Sequence, residues 1–184
     1  MKFIETSIPG LVLIEPIVYR DDRGYFFESY QKAAWQSAGI YCTFVQDNEA
    51  YSRYGAVRGL HYQLPPFQQD KLVRVIHGEV LDVVIDIRPQ AATYGQHFSA
   101  ILSDANKRQL FIPAGFAHGY ATLSDTAIFA YKCSQYYSRD HEAGIGHDDP
   151  QLNIDWQIPN QNRIISPKDQ QLPPLGQHLK WPQA

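Results

Sequence analysis

The sequence predicts an all-β fold with a few short helices, and two observations carry that reading. From residue 41 onward, runs rich in β-branched and aromatic residues recur at short intervals. They are TFVQDNEAYS, AVRGLHYQ, KLVRVIHG, EVLDVVIDIR, HFSAILS, RQLFIP, AHGYATLS and AIFAYKCSQYYS, punctuated by Gly, Pro and Asp. Many short strands so spaced point to a sandwich or barrel. Period-two alternation is clearest in 81 to 88, with Leu81, Val83, Ile85 and Ile87 on one face and Asp82, Asp86 and Arg88 on the other. That strand is expected to be half exposed.

Ahead of these strands, LVLIEPIVY (11 to 19) and YFFESY (25 to 30) flank the turn-like RDDRG and are expected to form a hairpin. In QKAAWQSAG (31 to 39), Ala33, Ala34, Trp35 and Ala38 precede Gly39, which suits a short helix with a glycine stop. Past the strands, DDPQLNIDWQIP (148 to 159) reads as a turn and a short segment packed on the barrel, ahead of a Pro/Gln-rich tail. With no internal repeat or linker, the 184 residues are expected to form a single domain, 1–184, around one core.

Composition narrows the function classes. A net charge of −3 gives no general attraction to nucleic acid or to an anionic membrane, so any anionic ligand must be held by a local cluster. No apolar run has the length of a membrane span. MKFIETSIPG lacks the apolar core of a signal peptide, and a cytoplasmic location is expected. Cys42 and Cys133, without metal-ligand spacing, are expected to be reduced, partly buried thiols.

Two stretches stand out by spacing. The first runs from Gly55 through five residues to His61, then Gln63, Lys71 and Gly78; the second is Pro113-x-Gly115-x-x-His118. They resemble the two signature motifs of the cupin barrels, whose metal-binding members carry His-x-His and Glu in the first and His in the second. The resemblance implies a cupin-type double-stranded β-helix, a jelly-roll barrel. Gln63 stands at the second His position and Lys71 at that of the Glu, leaving two ligands where a metal normally needs at least three. An ammonium there would repel a cation. The pocket therefore reads as an acid/base site with no metal. Period two puts His61 on one face with Val57, Gly59 and Gln63, and Arg58, Leu60 and Tyr62 on the other, unless a bulge intervenes. Tyr131 shares its face with Phe129, Cys133 and Tyr137.

A more specific resemblance covers residues 5 to 172. RGYFFE, FVQDNEAYS, AVRGLHYQ, KLVRVIHGEVLDVVIDIR, PAGFAHGYATLS, YKCSQYYSRDHEAGI, DDP, IDW and SPKD follow one another in an order similar to the dTDP-4-dehydrorhamnose 3,5-epimerase family. The resemblance implies a dTDP-4-keto-6-deoxy sugar substrate inverted at carbons 3 and 5 without metal or organic cofactor. It implies His61 as base, Asp169 as its partner, Tyr131 as acid on the opposite ring face and Lys71 beside the 4-keto oxygen. Arg23, Arg58 and Lys168 would hold the diphosphate, and Tyr137 would stack on thymine. Glu28, Gln46, Asp47, Asn48, His118 and Glu142 would supply polar contacts. A homodimer is expected, with the aromatic segment 1 to 30 able to add to a neighbouring sheet. Rival readings are an epimerase acting at one carbon, a ketoisomerase, a metal-dependent cupin dioxygenase and a non-catalytic sugar-binding barrel.

Overall fold

The computed structural model describes residues 1–182. One six-stranded sheet runs β1 (Lys2–Glu5), β2 (Val12–Glu15), β10 (Gln109–Ile112), β7 (Lys71–His77), β12 (Thr126–Cys133) and β5 (Gln46–Arg53). The facing sheet runs β13 (Glu142–Gly144), β6 (Ala56–Gln63), β11 (Phe116–Thr122), β8 (Glu79–Asp86) and β9 (His97–Ser103). A short β14 (Ile164–Ile165) lies parallel to β6, and all other neighbours are antiparallel. The all-β barrel of paired sheets is the jelly roll that the motifs implied.

Between the sheets, Val73, Val75, Leu110, Ile112, Ala127 and Phe129 meet Val80, Val84, Leu102, Phe116 and Tyr120. Each outer face has its own cover. Trp35, from the helix α1 (Lys32–Ser37), packs on Ile14, Leu72 and Phe111 of the first sheet. Its ring meets Phe3, Tyr30, Phe44 and Phe111 edge-on at centroid distances of 5.2 to 5.9 Å. Leu152, Trp156 and Ile158 cover the second sheet over Leu60, Tyr62, Val83 and Ile85. The expectation of a packed segment at 148 to 159 holds.

That cover overturns the half-exposed reading of residues 81 to 88. In β8 every residue from Val80 to Asp86 is buried. Leu81, Val83, Ile85 and Ile87 lie under the C-terminal segment, while the polar residues face the interior. Each buried carboxylate there is partnered. Asp82 accepts from His118 at 2.9 Å, and Asp86 binds Arg88 and Thr93, each at 2.6 Å.

The expected long hairpin is also corrected. Pro16 has no N–H for a ladder, and the strand before it, β2, pairs with β1 and β10. The hairpin is only β3 (Tyr19–Asp21) with β4 (Gly24–Phe26), its turn tied by the Asp21 carboxylate accepting from the Arg23 N–H at 2.9 Å. The helix over 31 to 39 is present, capped by the Gln31 side chain at 2.6 Å and followed by Gly39 at φ +80.

A bulge in β6 overturns the expected assignment of faces. Against β11, His61 pairs with His118 and Arg58 with Tyr120, three steps on one strand against two on the other. Arg58 and His61 both reach the interior, while Val57 joins Leu60 and Tyr62 in the outer core. Gly59 makes this possible at φ +116, where a Cβ would stand 2.6 Å from Gly119 Cα and 2.7 Å from the His118 carbonyl. Gly59→Ala is expected to lose about 2–4 kcal/mol of stability in denaturant melts, from strain and overpacking together.

Candidate active site

His61 and Arg58 of β6, His118 of β11, Lys71 of β7 and Tyr131 of β12 open onto one cavity of ≈ 620 Å³, walled on its far side by residues 164 to 169. The wall is set by the backbone. β14 runs along Ala56 and Val57 of β6, and the following turn delivers Asp169 to His61. His61 Nε2 lies 2.7 Å from Asp169 Oδ1, while Asp169 Oδ2 accepts the Gly59 N–H at 3.3 Å. Burial pushes the Asp169 carboxyl up, but hydrogen bonds from His61, Gly59 and Ser166 and the charge of His61 outweigh it and hold the group below the usual carboxylate range. An ionised carboxylate only accepts, so His61 donates through Nε2–H and Nδ1 is left as the basic nitrogen.

The other groups are held in matching fashion. Burial raises the Tyr131 phenol, which stays protonated at neutral pH. Burial pushes the Lys71 ammonium down, and anions around it only partly offset this. Arg58 donates to Ser52 Oγ at 3.0 Å and to the Tyr51 carbonyl at 3.1 Å, which fixes its plane at the cavity edge. Ser52 also lies 3.2 Å from Tyr120 Oη, and the Tyr120 ring stacks on Phe129 at 4.1 Å.

A second recess of ≈ 120 Å³ shares His61, Lys71 and Tyr131 with the first and adds Gln46, Asn48, Cys133, Tyr137 and Glu142. Tyr137 Oη donates to Glu142 Oε2 at 2.7 Å, and Lys168 is paired with the same oxygen. These hydrogen bonds hold the Glu142 carboxyl low against the upward pull of burial.

Of the residues singled out by sequence, His61, Lys71, Tyr131, Asp169, Arg58, His118 and Lys168 line the large cavity, and Gln46, Asn48, Tyr137 and Glu142 the recess. Arg23, Glu28 and Asp47 are not among them. Arg23 sits on the exposed hairpin, paired with Asp21 at 2.6 Å, and Glu28 is exposed just after it. Asp47 points outward from β5, 2.6 Å from Lys132, because its neighbours Gln46 and Asn48 take the inward face. Gln63 is a clamp: its amide donates to the Phe67 and Tyr136 carbonyls and accepts the Ser138 N–H at 2.7 Å, fixing the loop that carries Tyr137. Sequence reasoning missed Asp82, wholly buried behind His118, because its alternation looked like a solvent face. Among the described residues no group of three or more His, Cys, Asp or Glu is arranged to hold a metal ion.

Fold and site together define a cupin-type barrel with an acid/base pocket. The family model for dTDP-4-dehydrorhamnose 3,5-epimerase matches residues 5–177, and the chain belongs to that family. An epimerase of that name from Methanothermobacter thermautotrophicus is 47% identical over 96% of both chains. The crystal structure of dTDP-6-deoxy-D-glucose-3,5-epimerase from Legionella pneumophila, in complex with dTDP-4-keto-L-rhamnose, is 48% identical with a TM-score of 0.91, covering 96% of this chain and 93% of that one. A 3'-monoepimerase from Streptomyces bikiniensis in complex with dTDP-quinovose is 30% identical with a TM-score of 0.86, covering 92% and 86%.

The depressed Asp169 carboxyl gives a stability signature with a defined sign. Its contribution is complete above the unfolded carboxyl value of about 3.9 and is lost as pH falls through the lower folded value. Thermal melts of Asp169→Asn should therefore lie below wild type at neutral pH and converge on it as pH falls below about 4.

Proposed function

We propose that this chain converts dTDP-4-dehydro-6-deoxy-D-glucose to dTDP-4-dehydro-L-rhamnose by inverting carbons 3 and 5. The observation that carries the reading is the convergence of a carboxylate-held imidazole, a protonated phenol and a buried ammonium on one cavity. The 4-keto group acidifies the protons on both neighbouring carbons. His61, with Nε2–H on Asp169, takes a proton through Nδ1 from one face. The electron pair moves onto O4, where the Lys71 ammonium stabilises the enolate more than the ketone, the difference that speeds a reaction. Tyr131 then donates a proton to the same carbon from the opposite face; His61 releases its proton to solvent, the Tyr131 phenolate takes one up from solvent, and the sequence repeats at the second carbon.

Arg58 and Lys168 bind the diphosphate, and Lys168 exchanges Glu142 for phosphate oxygen when ligand enters. Tyr137 stacks on thymine, with Gln46, Asn48, His118 and Glu142 as polar contacts. The chemistry uses no metal or organic cofactor. The protein works in the cytoplasm, in keeping with the free thiols of Cys42 and Cys133.

The active form is a two-fold homodimer. Arg23 and Glu28 match family positions yet lie off the cavity of their own chain, on and beside a hairpin that exposes Tyr19, Tyr25 and Phe26 by 52 to 65%. In the dimer that hairpin reaches the partner's cavity and Arg23 completes its diphosphate clamp, while Asp47 is confined to pinning Lys132. Light scattering should give the dimer mass. Arg23→Ala should raise KM for the sugar nucleotide several-fold with the melting temperature unchanged; a fully active, concentration-independent monomer would refute the arrangement.

The resemblance to the Streptomyces bikiniensis 3'-monoepimerase favours one second reading, inversion at a single carbon. Incubation with dTDP-4-keto-6-deoxyglucose in deuterated water, followed by NMR, separates the two: deuterium and inversion are expected at carbons 3 and 5. His61→Ala should show neither exchange nor inversion. Tyr131→Phe should still exchange but invert about 10²- to 10⁴-fold more slowly. Wild-type inversion by folded Tyr131→Phe would rule out its role as acid.

A further inference from the structure

Among the described residues, nothing hydrogen-bonded to Lys71 accounts for the positive charge that it brings into the barrel. It stands on the inward face of β7 with Val73 and Val75 of the inner core, and burial works against its ammonium form. Each neighbouring element offers a candidate counter-charge. From β12 come Cys133 and Tyr131, and from β11 Tyr120. Burial raises all three, so thiol and phenols are neutral at pH 7 and supply no charge. From β13 comes Glu142, whose ionised carboxylate also favours the Lys71 ammonium but is bonded directly to Lys168 and Tyr137. The turn after β14 brings Asp169, whose two oxygens are taken by His61 and the Gly59 N–H. Arg58 of β6 and Lys168 only add positive charge.

Asp82 of β8 remains. It is wholly buried on the inward face between Val80 and Val84, in the same inner core as Val73 and Val75. Oδ2 receives His118 Nε2 at 2.9 Å, while Oδ1 is buried and has no hydrogen-bond partner among the described residues. An unpaired carboxylate oxygen is costly in such a place unless a nearby cation offsets it.

We propose that Asp82 is a positioning residue for the reaction: its carboxylate, oriented by His118, is the buried counter-charge that keeps Lys71 an ammonium facing the substrate carbonyl. The inference rests on the role given to Lys71 under Proposed function. Among the described residues no hydrogen bond joins Asp82 to Lys71, and this suits the task. A direct ion pair would draw the ammonium toward Asp82 and away from the enolate oxygen, whereas a carboxylate without direct contact favours the protonated form through space and leaves all three donors free. With Asp82 ionised, His118 donates to it through Nε2–H, so the imidazole is fixed in one tautomer at the cavity floor.

The test is direct titration of the Lys71 side chain by ¹³C and ¹⁵N NMR in ligand-free wild type and Asp82→Asn, which keeps the shape and an acceptor for His118. Lys71 should lose its proton at a pH lower by about one unit or more in the variant, a tenfold or greater weakening of the ammonium. The alkaline limb of the inversion rate should move down by the same amount. A merely structural Asp82 would lower the melting temperature and leave the Lys71 titration where it was; that result in folded Asp82→Asn overturns the proposal. Should the variant not fold, carboxyl ¹³C NMR of wild type decides. An Asp82 carboxylate at pH 7 whose signal moves as Lys71 titrates supports it, and an Asp82 that is protonated at pH 7, or indifferent to Lys71, refutes it. Neither titration uses substrate, so a wild type without turnover would fail the epimerase reading alone.

Discussion

The hydrogen bond between His61 and Asp169 joins residues 108 apart, and the site depends on it. One partner sits in mid-sheet and the other in a 3₁₀ turn near the end of the chain, so the pair forms only when the C-terminal segment has docked. That docking is hydrophobic. Leu152, Trp156 and Ile158 bury themselves on the outer face of the second sheet, and the chain then returns through β14 along the edge of β6. The non-directional attraction of apolar surface thus positions a directional interaction a few residues later. The same wrapping walls one side of the cavity, which lowers the effective dielectric there and makes each charge beside it count for more.

The β6 bulge is the second constraint. A regular strand would send Arg58 and His61 to opposite faces, and one of them would leave the site. The extra residue at Gly59 turns both inward, at the cost of backbone that only glycine tolerates against Gly119. Gly59 then offers its N–H to Asp169, so one position sets the direction of the guanidinium and part of the carboxylate's environment. The close passage of two glycines is a packing condition for the chemistry.

Much of this was legible in the chain. Strand runs such as AVRGLHYQ and HFSAILS carry their own alternation and β-branched content, and their limits agree with β6 and β9. The residues of the large cavity were legible through motif order, because each sits at a fixed place within a strand or turn. Three features were hidden for distinct physical reasons. The bulge depends on the register between β6 and β11, which no single strand encodes. The buried polar face of β8 has the same alternation as an exposed one, since period two reports sidedness and not which side meets water. Gln63 read as a vacated ligand position, but its part is to satisfy backbone groups of a loop that meets it only in the fold.

In a metal-binding cupin the ligand positions converge because a cation satisfies several donors at once. Here the same convergent directions hold His61, Lys71 and His118, which would repel one another if all were protonated. The arrangement is sustained by giving each ring its own carboxylate, Asp169 for His61 and Asp82 for His118. Each carboxylate meets Nε2 of its ring and so fixes the tautomer. Preorganisation of this kind is costly to stability, because a buried carboxylate seldom has its desolvation fully repaid. The inner core of Val73, Val84, Leu110 and Phe129 beneath the cavity offsets that cost through apolar burial. The polar site and the apolar floor are therefore interdependent: the floor makes the charges strong, and the pairing satisfies the polar groups above it.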